Sequence, residues 1–163
     1  VLTDLSAVMS RELDALRREI ELYPDDESLW REVPGCPNSG GTLALHLVGN
    51  LRHFIGARIG RTGYVRNRDA EFATRGMPRQ AIVAMIDEAR RDVVSTLAAL
   101  DPSALSGETP LPQGDRSLRT SRWLIHLAVH LGYHLGQVDY HRRAVTGDRT
   151  SAATLSLPAL LDA

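Results

Sequence analysis

His126-Leu-Ala-Val-His130-Leu-Gly-Tyr-His134-Leu-Gly-Gln137-Val-Asp-Tyr-His141 decides how the chain is read. At about 100° per residue, the four histidines and Gln137 fall within one arc about 80° wide on a helical wheel. Leu124, Leu127, Leu131, Leu135 and Val138 form a ridge on one side of that arc, and Val129, Tyr133 and Tyr140 lie on the other. A polar stripe bracketed by apolar residues is expected to face the interior of a helical protein. Thr120 or Ser121 caps this helix and Gly147 ends it.

Each imidazole carries a donor or acceptor that must be satisfied when it leaves water. A divalent metal satisfies several at once, and neutral imidazole is a common ligand for zinc, nickel and iron. Histidines four apart can converge on one ion, but eight residues rise about 12 Å, so His126, His130 and His134 cannot all bind the same ion. Either the first pair or the second does. A third ligand must come from another helix, and Leu43-Ala-Leu-His46-Leu-Val-Gly-Asn50-Leu-Arg-His53 offers one. His46, Asn50 and His53 share a face, although His46 and His53 stand about 10 Å apart along the axis and so cannot both be ligands. Three imidazoles with open positions left for water form the pattern of a catalytic site rather than a structural one. The competing reading is a buried hydrogen-bond network without metal.

Outward from these segments, two further stretches carry helical periodicity. Leu2, Leu5, Val8/Met9, Leu13, Leu16 and Ile20 mark a helix from Leu2 to about Leu22, with Thr3 or Asp4 as its cap and Pro24 beyond its end. Ile82, Met85/Ile86, Ala89, Val93, Thr96/Leu97 and Leu100 mark another from Arg79, stopped by Asp101-Pro102. The His46 helix runs from its cap at Thr42 to about Ile59. Segments rich in Gly, Pro, Asn and Asp separate the four: 25–41, 60–78 and a turn-rich stretch ending at Arg119. Trp30 in the first is expected to fold back onto the core. A connection as long as 60–78 tends to be functional or to cover a site. No strand alternation is evident. In the tail after Ala152, Leu155, Leu157, Leu160 and Leu161 are expected to dock. The reading is a single domain over residues 1–163: an all-α four-helix bundle with long first and third connections.

The charge balance, 19 basic against 20 acidic residues in 163 and a net charge of −1, leaves no footprint for nucleic acid. No apolar run reaches the length of a membrane span and no signal pattern opens the chain. Cys36 is the only cysteine, which rules out an internal disulfide and a four-cysteine zinc site. Together these features indicate a reducing cytoplasm. Between Gly35 and Pro37, this thiol reads as an incidental loop residue.

His130-Leu-Gly-Tyr-His134-Leu-Gly-Gln137 resembles the His-x-x-x-His-x-Gly-Gln signature of the DinB/YfiT-like superfamily, and His46 in Leu-Ala-Leu-His-Leu matches the histidine of its second helix. The order of elements agrees from the first helix through Thr146-Gly147, although only the two histidine segments are specific. The resemblance implies a four-helix bundle with metal ligands His46, His130 and His134. Asn50, His53, His126 and Gln137 would then surround the ligands, and His141, near the helix end, would fill the core. It also implies a divalent ion, zinc or nickel first and iron or manganese next, and it suggests a small-molecule substrate or a low-molecular-weight thiol used by an S-transferase or hydrolase. The sequence names no catalytic base. Asp69 and Glu71 are candidates only by position, and Arg66 and Arg68 would bind a carboxylate-bearing substrate unless they are solvated loop charges. Alternatives are a metal-binding protein without turnover and a dimeric interaction module. Ala128, Gly132 and Gly136 form a smooth strip suited either to tight packing within the bundle or to a homodimer face.

Overall fold

The computed structural model describes residues 1–111 and 116–161. Helix α1 spans Leu2–Glu21 and buries Met9, Leu13, Leu16 and Ile20 completely, the face that the spacing marks. Helix α2, Asp26–Trp30, is a short turn capped by Asp25, whose carboxylate accepts from the Ser28 amide at 2.7 Å. Helix α3, Gly40–Leu51, is buried along its whole length. Its cap is Ser39, whose hydroxyl accepts from the Thr42 amide at 3.2 Å, so the cap lies before Thr42 and Thr42 is inside the helix. The chain then widens into a π-helical turn over Arg52–Ala57, with the Arg58 amide donating to the His53 carbonyl at 3.0 Å. Helix α4, Arg68–Ala73, lies in the second connection. Helices α5, Arg79–Ala99, and α6, Thr120–Thr146, complete the set, and Gly147 closes α6 with φ of 70°, a left-handed cap that glycine adopts freely.

Among the described residues the long helices α1, α3, α5 and α6 carry the core, and the fold is all-α. Helix α1 packs against α5 and α6, and α3 packs between those same two partners. One cluster of buried aliphatic residues runs through all of them, from Leu16 and Ile20 through Leu47 and Ile86 to Leu127 and Leu131. Trp30 folds back as expected: its indole N–H donates to the Met77 carbonyl at 3.0 Å. Its ring sits over Gly41, where a Cβ would come within 2.8 Å of it.

Two features depart from the sequence reading. The third connection holds a 3-10 turn at Pro102–Ser106 and a two-stranded antiparallel hairpin, β1 Glu108–Pro110 with β2 Ser117–Arg119, Thr109 opposite Leu118. Strands of three residues are too short to display alternation. Residues 112–115 of that stretch lie outside the described residues. The tail does not dock as an apolar segment: Leu155, Leu157 and Leu161 are exposed and Leu160 is half-buried. Among the described residues of the tail only Ala152 is buried, and its carbonyl accepts from Arg18 Nε at 2.8 Å.

Polar contacts that no periodicity reveals clasp α6 to α1. Arg142 is fully buried and donates to the equally buried Glu19 carboxylate at 2.5 Å and to the Thr150 carbonyl at 2.6 Å. At the adjacent position, His141 Nε2 lies 2.8 Å from the Arg31 carbonyl and Nδ1 lies 2.8 Å from the Tyr23 hydroxyl. Since a carbonyl only accepts, Nε2–H donates and Nδ1 receives the tyrosine proton. His141 thus fills the core, and burial holds its pKa below 6.5.

Removing one member of a buried ion pair leaves the other charge uncompensated, at a cost of about 3–5 kcal/mol. Arg142→Met should lower the urea unfolding free energy by about that much. Glu19→Leu combined with Arg142→Met should recover most of the loss. Equal destabilisation by the single and double variants would show that the pair is not the clasp.

Candidate metal centre

Helices α3 and α6 bring three histidines together. His46 lies mid-way along α3, in the bundle interior and 8 % exposed, while His130 and His134 occupy successive turns of α6. Their ring centroids lie 4.5 Å apart for His130–His134, 5.2 Å for His46–His130 and 5.3 Å for His46–His134. One ligand atom from each can be chosen so that all lie within 4.8 Å of one another, a spacing that could hold a metal ion. Of the two pairings that the helix allows, the structure gathers the His130–His134 pair with His46.

Hydrogen bonds on the outer nitrogens set which atoms face inward. Gln137 Oε1 lies 2.6 Å from His134 Nδ1, and Glu71 Oε2 lies 3.1 Å from His46 Nδ1. Both acceptors leave the Nε2 atoms free. His46 Nε2 and His130 Nε2 stand 3.3 Å apart. Two nitrogens held about 2.0–2.1 Å from one tetrahedral ion would be separated by about that distance. His130 Nδ1 is buried without a hydrogen-bond partner among the described residues, as is Asn50 Oδ1. Burial, followed by the neighbouring histidines and Arg66, holds the His130 pKa down at about 4, and burial also lowers that of His134. Both rings are therefore neutral near pH 7, as a ligand imidazole must be.

The remaining candidates scatter. His126 is exposed, stacks on Trp123 at 5.3 Å and stands 6.2 Å from His130. His53 falls in the π-helical turn, where its ring packs on Phe54 at 4.7 Å rather than on the three histidines. Asn50 is buried one turn beyond His46. Gln137 is exposed apart from its bond to His134. From His126 to Gln137 the α6 stripe lies at the rim of the bundle, and only at His141 does it enter the core: the leucine ridge is buried, but Ile125, Val129, Tyr133 and Tyr140 on the other side are exposed. A wheel with apolar residues on both flanks cannot reveal which flank meets the core.

The second connection supplies what the sequence leaves undecided. Asn67 caps α4 by accepting from the Ala70 amide at 3.0 Å, and the helix lies against α3. There it sets the Phe72 ring 5.1 Å from His46 and buries Glu71 beside it. Arg66 grips Glu71 through Nε at 2.6 Å and Nη2 at 2.7 Å. Burial raises the Glu71 pKa, but the hydrogen bonds and charge of Arg66 and His46 outweigh it and hold the group below its ordinary value of 4.5. Arg66 is thus not a solvated loop charge, whereas Asp69 is exposed and Arg68 lies over the Phe72 ring at 4.8 Å. No helical spacing ties Arg66 or Glu71 to His46, so only the length of the connection hints at them.

No helix among the described residues is long and apolar enough to cross a membrane. No curated protein and no solved structure matches the chain. The family model of the DinB superfamily matches residues 9–138, most of the chain, a span that includes His46, His130, His134 and Gln137. The chain belongs to the DinB superfamily.

Proposed function

We propose that this single-domain chain is a metal-dependent enzyme of the cytoplasm in which His46, His130 and His134 hold one divalent ion, zinc or nickel first and iron or manganese next. The convergence of the three imidazoles carries the reading. When bound, the ion would supply Lewis acidity toward a low-molecular-weight thiol or a water, which suits an S-transferase or a hydrolase acting on a small molecule. The protein's part is to keep His130 and His134 deprotonated and all three rings aimed. Gln137 orients His134, and Phe72 closes one side of His46. His126 stands beside His130, at 6.2 Å between rings, and Asn50 lies one turn beyond His46, whereas His53 packs on Phe54. A metal-binding protein without turnover is the rival reading, and a screen for activity separates the two.

The exposed face of α6 supports a second copy of the chain as partner. A Cβ built at Gly132 or Gly136 meets nothing within 4 Å among the described residues, so these two glycines do not serve packing inside the bundle. With Ile125, Val129, Tyr133 and Tyr140 it makes an apolar track along one helix, with a trough that would let the same helix of a partner approach closely.

Protein purified without an affinity-tag metal should carry close to one equivalent of metal by elemental mass spectrometry, and His130→Ala/His134→Ala should carry none. Loaded protein should accelerate conjugation or hydrolysis within a panel of thiols and electrophiles. Metal binding without any turnover would leave only the non-catalytic reading. Light scattering should give the mass of a dimer for the wild type and of a monomer for Gly132→Leu/Gly136→Leu. A monomeric wild type would remove the partner.

Acid should destabilise the metal-free protein in a defined window. An unfolded histidine takes up its proton near pH 6.5, whereas folded His130 does so only near about 4. Between those values the unfolded chain binds more protons, so stability falls as the pH drops through that range. Urea midpoints of stripped protein between pH 7 and 4 should show the loss, and His130→Asn should reduce it. An unchanged slope in that variant would contradict the assignment.

A further inference from the structure

We propose that Glu71 is the positioning residue for His46: held by Arg66 and seated over Gly49, its carboxylate fixes the His46 ring with the proton on Nδ1 and Nε2 turned toward His130 and His134. This rests on the metal reading of those three histidines and adds a role for a residue outside them.

Four observations converge on the role. Glu71 Oε2 is 3.1 Å from His46 Nδ1, on the side of the ring opposite the nitrogen that faces His130. Both carboxylate oxygens are engaged by Arg66, at 2.6 and 2.7 Å, so the group cannot swing to another partner without breaking two charge-assisted bonds. The backbone makes room for it: a Cβ at Gly49 would lie 2.0 Å from Glu71 Oε1 and 2.6 Å from its carboxyl carbon. Glu71 is also only 6 % exposed, so water does not compete for the contact. The same placement disqualifies Glu71 as a general base, because it sits behind His46 rather than on the side where a reacting group would bind.

Arg66 Nη2 lies 3.4 Å from His46 Nδ1 as well, which defines the opposite tautomer, with Nδ1 accepting. That alternative would turn a nitrogen lone pair toward a carboxylate oxygen at 3.1 Å, two acceptors face to face. The shorter contact to the anion decides for Nδ1–H. A carboxylate that accepts from the outer nitrogen of a ligand histidine fixes the ring and strengthens it as a donor, and its loss typically costs 10–100-fold in metal affinity.

The test has two arms. In the first, zinc affinity is measured by chelator competition for the wild type, Glu71→Gln and Gly49→Ala, alongside the visible spectrum of each loaded with cobalt(II). Glu71→Gln keeps volume and an acceptor oxygen but loses the charge and the Arg66 clamp, so it should bind roughly 10–100-fold more weakly with an altered cobalt spectrum. Gly49→Ala, which displaces the carboxylate, should move in the same direction. Wild-type affinity and spectrum in a folded Glu71→Gln protein would overturn the role. In the second arm, nitrogen-15 NMR of metal-free wild type reads the His46 tautomer and needs no variant. Nδ1–H is expected, and Nε2–H would overturn the proposal. If the wild type binds no zinc, the metal reading fails on its own, while the tautomer still decides whether Glu71 fixes the ring.

Discussion

Three imidazoles in ring contact, from two helices and largely out of water, are the constraint around which this molecule is organised. Protonated, they would repel one another at a few ångströms in a poorly solvated site. Burial first, and the neighbouring histidines after it, hold the His130 pKa down at about 4. Neutral, they converge their nitrogens on one point. The second connection, through Glu71, Arg66 and Phe72, and the packing of α3 on α6 place and shield these rings.

The rest of the architecture follows from holding α3 and α6 in register. Helix α3 is buried on every side, which explains its lack of charged residues from Gly40 to Leu51. Its N-terminal end is fixed by close contacts: a Cβ at Gly40 would meet the Tyr23 hydroxyl at 2.1 Å, and Tyr23 in turn bonds His141 of α6. Helix α6 is tied at the same end to α1 by Arg142 and Glu19. These contacts anchor the two ligand-bearing helices about two turns from the histidines, leaving the site itself to be finished by the second connection.

Much of this was legible in the sequence because helical periodicity survives translation into structure. The spacing of Met9, Leu13, Leu16 and Ile20, and of Ile82, Ile86, Ala89, Val93 and Leu97, maps onto buried faces. The four-residue spacing of His130 and His134 made them a pair, and the resemblance to the DinB/YfiT-like superfamily singled out His46. The less legible parts depend on contacts between residues far apart in sequence. Arg66 and Glu71 lie in a loop, and only the packing of α4 on α3 brings them to His46. The exposure of Tyr133 and Tyr140 depends on which flank of α6 meets α1 and α3, and a helical wheel leaves that open. The hairpin at Glu108–Pro110 and Ser117–Arg119 is too short to announce itself.

The most direct test of the central claim is a crystal structure of protein soaked with zinc or nickel, with data collected on both sides of the metal's absorption edge. The account predicts a single anomalous peak bonded to the Nε2 atoms of His46, His130 and His134, at about 2.0–2.1 Å for zinc. A fully ordered site with no peak among the three rings, or a peak bound elsewhere, would contradict it.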